Sequence, residues 1–215
     1  MRQGQDTPKK PPVVGLTGGL GAGKSTVSGY LAKKGAFVIE ADRVGHEVIS
    51  RIPVLADLVA VFGKEIVGED GQVLRQVLAA KVFRDPQALA QLNAITHPPM
   101  ARLIQETIAN VLSQPLPPPL VVLDAAVLFE AGWDKLCQMV WTVSTPSKIA
   151  VDRLIRQNRL TPDQAVARMQ FQLSNAERES RAHKVIHNEG SLESLLAQVD
   201  RLWQDTLDAQ GLAHP

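Results

Sequence analysis

From position 18 the chain reads Gly18-Gly19-Leu20-Gly21-Ala22-Gly23-Lys24-Ser25, which fits the pattern G-x-x-x-x-G-K-[ST]. The glycines at 18, 19, 21 and 23 remove side chains that would hold a polyphosphate away from the backbone amides. They also permit dihedrals that other residues adopt only with strain. Lys24 carries a point charge suited to the β- and γ-phosphates, and Ser25 offers a hydroxyl suited to Mg²⁺. A glycine-rich turn with a chance lysine is the simpler account. Against it stand the apolar run before the motif and the helical pattern after it, a context that aims helix N-terminal amides at an anion. The chemistry is nucleotide-phosphate binding, with ATP as the nucleotide. By itself the motif serves kinases, GTPases and motor ATPases alike. No Asn-Lys-x-Asp guanine-reading motif is present, which weakens the GTPase reading.

Other residues narrow the chemistry. Asp42 follows an apolar run and lies eighteen positions after Lys24. A carboxylate past the carboxyl end of a strand next to a phosphate loop is placed to accept the proton of an incoming hydroxyl. It is equally well suited to cap a helix starting near Arg43. Asp124 ends Val121-Val122-Leu123-Asp124, where an acid commonly holds Mg²⁺ or its water; a strand-end turn is the alternative. Arg153, Arg156 and Arg159 are spaced to share one helical face, either as a solvated surface or as mobile positive charge on a closing lid. His97-Pro98-Pro99 reads as a capping turn with proline in the first helical position. His183 and His187 lack a third ligand, so no metal site is expected there.

These residues need a parallel α/β scaffold, and the pattern supplies one. Five short apolar runs read as strands: Val13–Thr17, Ala36–Glu40, Leu120–Asp124, Met139–Val143 and Val185–His187. They are apolar throughout rather than alternating, as strands covered on both faces should be. Helices are expected over 24–34, 147–158 and 191–210, with another near Pro162 announced by the capping-box pair Thr161 and Gln164. The long excursion from about Arg43 to Ser113 is mainly helical and too long for a crossover loop. Pro115-Leu116-Pro117-Pro118-Pro119 ends it.

Composition sets outer bounds. The 215 residues are 45% hydrophobic and carry a net charge of +1, so the global balance points to neither nucleic acid nor an anionic membrane. The region 148–184 is locally cationic, with eight basic against four acidic residues. A lone cysteine, Cys137, precludes an internal disulfide and fits a reducing compartment. Apolar runs fall short of a membrane span, and residues 1–12 read as a disordered polar tail without a signal-peptide core. A cytoplasmic protein without an obligate protein partner is expected.

The sequence resembles the dephospho-CoA kinase family from Val13 to about Trp203. The resemblance is carried by Leu16-Thr17 through Ser25-Thr26, Val38-Ile39-Glu40-Ala41-Asp42, His97-Pro98, Leu128-Phe129-Glu130-Ala131-Gly132, Arg153-Leu154 and Val185 to Gly190. It implies a P-loop kinase with a parallel five-stranded sheet flanked by helices, a helical substrate-side subdomain and a helical lid. The implied segments are a core over 13–42, 114–146 and 183–209, a CoA-side subdomain over 43–113 and a lid over 147–182. The implied activity is transfer of the γ-phosphate of ATP, with Mg²⁺, to the ribose 3′-hydroxyl of dephospho-CoA. Another small-molecule P-loop kinase (shikimate- or nucleoside-monophosphate-type) and a non-enzymatic nucleotide switch or assembly ATPase are the alternatives.

By the same resemblance Asp42 is the catalytic aspartate, Arg153 the lid arginine, His97 part of the acceptor side, and Asn188 with Gly190 a loop near the adenine. Residues 18–26 form the phosphate cradle, and Ser25 and Asp124 serve the metal. The chain departs from the family pattern at several positions. Glu40 stands where an aspartate is usual, Ala126 where proline is, and Gln157 where a second lid arginine is common; His187 and Glu189 replace the residues usually flanking Asn188.

Overall fold

A computed structural model describes residues 10–82, 85–158 and 172–211. Five strands, β1 (Val13–Gly18), β2 (Phe37–Glu40), β3 (Val121–Asp124), β4 (Met139–Ser144) and β5 (Lys184–His187), form one sheet in the order β2-β3-β1-β4-β5. The pairs β1–β3, β1–β4 and β4–β5 are parallel, with Leu16 opposite Asp124 and Thr17 opposite Thr142. β1 thus runs centrally, and every residue from Val13 to Gly18 is buried. All of its strand residues are apolar except Thr17, because both faces are covered.

On one face Val14, Leu16, Leu120, Val122, Trp141, Val143 and Ile186 pack against two helices. These are α1 (Lys24–Lys33), through Val27 and Leu31, and the C-terminal helix α8 (Leu192–Gln210), through Leu195, Val199, Trp203 and Leu207. The apolar positions of α8 recur at intervals of four, one stripe of a helical surface. Ser191 caps it, its hydroxyl accepting from the Ser194 amide. On the other face Gly15 admits the segment after β3: a Cβ there would lie 2.7 Å from Leu128 Cδ2 and 3.0 Å from Cys137 Sγ.

Burial pushes the Cys137 thiol up to about 12. Only about one thiol in ten thousand would then be the nucleophilic thiolate at pH 8. Native protein should therefore resist iodoacetamide at pH 8 and react once unfolded in guanidinium, as read by mass spectrometry of the intact chain.

The chain divides into two compact units, one of residues 1–39 and 108–215, the other of residues 40–107. The second contains α2 (Ala41–Ile49), α3 (Ile52–Phe62), α4 (Arg75–Val82) and most of α5 (Pro86–Leu112). Residues of the expected lid cluster with the sheet unit; they include α6 (Ser147–Asn158) and α7 (Asn175–Arg181). Pro11 and Pro12 are buried, and the Pro12 carbonyl accepts from the Val121 amide at 3.0 Å, so this end of the expected tail extends the β1–β3 pairing inside the sheet. Residues 1–9, Thr161, Pro162, Gln164 and Arg159 lie outside the described residues.

One local expectation fails. His97-Pro98-Pro99 does not precede a helix but lies inside α5, which runs unbroken from Pro86 to Leu112. Each proline removes an amide donor from the helical ladder. The buried stripe of Thr96, Met100, Ile104, Ile108 and Val111 holds the helix through this interruption. Tertiary burial overrides the local signal.

Candidate active site

β1 delivers the chain into the glycine loop at the carboxyl edge of the sheet, and α1 starts where the loop ends. The loop closes on itself through the Ala22 amide, which donates to the Gly19 carbonyl at 3.0 Å. Gly23 is the N-cap of α1 at φ 93°, a left-handed conformation, and Gly21 is at φ 77°. The first turn of α1 carries no acid, so no side-chain carboxylate of that turn competes with an external anion for the helix N-terminus.

The glycines also answer to packing, which sequence reasoning did not anticipate. A Cβ on Gly18 would lie 2.8 Å from the Val143 carbonyl oxygen of β4, and one on Gly21 would lie 2.7 Å from the Ala150 carbonyl oxygen of α6. A Cβ on Gly23 would overlap the Asn188 amide nitrogen. Gly23→Ala is therefore expected to cost about 2 kcal/mol or more from the left-handed backbone and the overlap together. In a thermal melt that corresponds to a Tm lowered by about 4–8 °C.

Lys24 Nζ donates to Asp124 Oδ1, joining the first residue of α1 to the last residue of β3. Asp124 is buried, and this pair accounts for the carboxylate at the strand end. Ser25 and Thr26 follow in the first turn of α1 with exposed side chains. The donor set fits Mg²⁺. One hydroxyl and one carboxylate are hard oxygen ligands, and this ion usually takes one or two protein oxygens and completes its shell with substrate phosphates and water. Among the described residues no cluster of three His, Cys, Asp or Glu could hold a metal without such help.

Behind the loop lies a hub at the end of β4. Thr145 Oγ1 is 3.1 Å from both the Ala22 and the Asn188 carbonyl oxygens. Asn188 is buried, and its amide donates to the Ala22 carbonyl at 2.8 Å. Arg153, from α6, donates through Nη2 to the Asn188 carbonyl at 3.2 Å and to its Oδ1 at 3.3 Å. The structure thus brings Lys24, Asp124, Asn188 and Arg153 together around the loop. Here the Asn188 side chain holds loop backbone. Arg153 turns inward while Arg156, three residues on, is exposed.

Asp42 and His97 belong to the second unit. α2 starts at Ala41 with Glu40 as its N-cap, so Asp42 sits in the first turn and the helix-capping alternative is set aside. Its carboxylate is exposed and makes no hydrogen bond or ion pair among the described residues. Glu40, the departure from the family's acidic pair, lies 3.9 Å from Arg43 as an exposed ion pair. His97 is half-buried in α5, and burial lowers its pKa below the ordinary imidazole value, which favours the neutral ring at neutral pH. His183 Nδ1 accepts from the Val140 amide at 3.0 Å, a structural role.

Sequence reasoning missed Thr145, Gln172, Asn175 and Arg178 as loop neighbours. Thr145 had a readable signal, a polar residue at the carboxyl end of the strand beside β1. Arg178 was legible only as one charge of the cationic region 148–184, and Gln172 and Asn175 had no signal.

A profile of the dephospho-CoA kinase family matches residues 12–194. The chain belongs to that family. A dephospho-CoA kinase of Moorella thermoacetica is 39% identical over 194 residues, covering 90% of this chain and 91% of the relative. A crystal structure of the Thermus thermophilus protein TT1252 aligns with a TM-score of 0.77 at 32% identity, covering 92% of this chain and 98% of that one. Dephospho-CoA kinase from Campylobacter jejuni aligns at a TM-score of 0.69 and 20% identity over 92% of this chain and 98% of its own, a likeness of fold. The expected α/β P-loop kinase architecture with its five-stranded parallel sheet is thereby established. Among the described residues no helix is long and apolar enough to cross a membrane.

Proposed function

We propose that the chain transfers the γ-phosphate of ATP to the ribose 3′-hydroxyl of dephospho-CoA, giving coenzyme A and ADP. The observation that supports this reading most strongly is the family match across 12–194, over a loop whose amides, Lys24 and helix N-terminus suit a polyphosphate. A shikimate- or nucleoside-monophosphate-type kinase and a nucleotide switch are not favoured by that match.

In this proposal the amides of 18–26 and Lys24 hold the phosphates, and Ser25 and Asp124 hold Mg²⁺. Bound there, Mg²⁺ would neutralise phosphate charge and orient the chain of phosphates. Lys24 exchanges part of its pairing with Asp124 for the β- and γ-phosphates. Asp42 accepts the proton of the 3′-hydroxyl, a role favoured by its uncommitted carboxylate. Arg153 and Asn188 steady the loop at Ala22 and Gly23, and Arg153 supplies positive charge to the transferred group when it leaves Asn188. His97 belongs to the acceptor side.

The acceptor is tested by coupling ADP release to NADH oxidation with dephospho-CoA, shikimate and nucleoside monophosphates in parallel. Acceptor-dependent turnover with dephospho-CoA alone is expected. Equal or faster turnover with another acceptor would reassign the substrate, and ADP release indifferent to every acceptor would leave only a nucleotide hydrolase.

A further inference from the structure

α7 is a short polar helix, Asn-Ala-Glu-Arg-Glu-Ser-Arg, yet its Arg178 is only 2% exposed. Burying a guanidinium is costly unless its donors are matched, and arginine has five N–H donors. The match here is partial. Nη2 donates to Gln172 Oε1 at 3.4 Å and lies 3.7 Å from Glu130 Oε1, while Nε is buried with no partner among the described residues. Nη1 faces the phosphate loop, where a Cβ on Gly19 would lie 3.3 Å from it and 3.4 Å from Asn175 Oδ1.

The contact with Gln172 is shared. Its Oε1 also accepts from the Leu20 amide at 3.1 Å, so one oxygen joins the buried guanidinium to the loop backbone. The helix that carries Arg178 is itself pinned to the end of β4. Asn175 Nδ2 donates to the Thr145 carbonyl at 2.7 Å, and Ser144 Oγ donates to Glu179 Oε1 at 2.5 Å. Ser174 and Glu177 close a capping box on its first turn. Glu130 also accepts from the Leu173 amide at 3.0 Å, fixing the chain on the other side of Gln172. A buried charge with an unmatched donor is a poor choice for packing alone, since an apolar side chain of similar length would fill the site without that penalty. What the charge does that an apolar chain would not is orient the Gln172 oxygen on Leu20 while bracing Gly19.

We infer that Arg178 is a positioning residue for phosphoryl transfer, acting through Gln172 to fix the Gly19–Leu20 limb of the phosphate loop. The inference rests on the kinase reading. Phosphoryl transfer gains from donors already aimed at developing charge, so a loop limb free to shift lowers turnover more than it lowers nucleotide binding.

The test is a double-mutant cycle on dephospho-CoA turnover with Arg178→Met, Gln172→Met and the double variant, with a thermal melt of each. Each single change is expected to lower kcat about tenfold with KM for ATP within about threefold, and the double to fall no further because both act through one oxygen. Arg178→Lys should recover only part of the loss, since a single ammonium lacks the planar fork that reaches Gln172 and Gly19 together. Wild-type turnover that Arg178→Met leaves within about twofold overturns the inference alone, as does a multiplicative loss of about a hundredfold in the double variant. Should Arg178→Met fail to fold, Gln172→Met decides: a tenfold loss at unchanged Tm supports the coupling, and full turnover overturns it. A wild-type chain without dephospho-CoA turnover would overturn the kinase reading and this inference with it.

Discussion

Asp42→Asn is expected to lower kcat by about 10²–10⁴-fold, the usual contribution of a positioned general base, while the Kd for ATP stays within about threefold. The separation of the two quantities follows from where the residue sits. Asp42 lies in the first turn of α2, outside the phosphate loop, and Glu40 rather than Asp42 caps the helix. Its carboxylate is exposed and makes no hydrogen bond or ion pair among the described residues, so its replacement by an amide of equal size removes no fold contact. An unchanged melting temperature is therefore part of the expected result. If turnover survived within a few-fold, the hydroxyl proton would have to leave by another route. If Tm fell instead, the residue would be a structural acid of α2.

Lys24→Met should be comparably damaging for a different reason, with kcat/KM for ATP lowered by about 10³-fold through loss of a cation at the phosphates. The substitution also leaves the buried Asp124 carboxylate without its ion-pair partner. Because Lys24 is itself 20% exposed, the cost to the free protein is expected near 1–3 kcal/mol, below that of a fully buried pair. The double variant Lys24→Met with Asp124→Asn should recover much of that Tm loss but none of the turnover. Recovery of both would mean that the pair serves the fold alone.

The sheet was legible because its strands are short apolar runs, and observed and expected strands differ by at most one residue at each end. The inner strands β1, β3 and β4 are covered on both faces, whereas the outer strands β2 and β5 are partly exposed, against the expectation for all five. The phosphate loop was legible because backbone approach to an anion leaves few choices of residue. What escaped the sequence has a common physical cause. The expected helix start at His97-Pro98-Pro99 failed because proline's local cost was outweighed by the burial of Thr96, Met100 and Ile104 on one continuous helix. Gln172 and Leu20 meet across 152 positions of chain, and Asn188 and Ala22 across 166, through crossovers that no local pattern encodes. Asn188 was found only by resemblance, and what the structure adds is its grip on the Ala22 carbonyl. Arg153 was expected as a lid arginine sharing a helical face with Arg156, and only packing shows that it turns toward Asn188.

Phosphorus NMR of the reaction mixture bears most directly on the whole account. With the purified chain, ATP, Mg²⁺ and dephospho-CoA, a new ribose 3′-phosphomonoester resonance should grow in step with ADP, one for one. ADP that accumulates with inorganic phosphate while dephospho-CoA remains unmodified would contradict it.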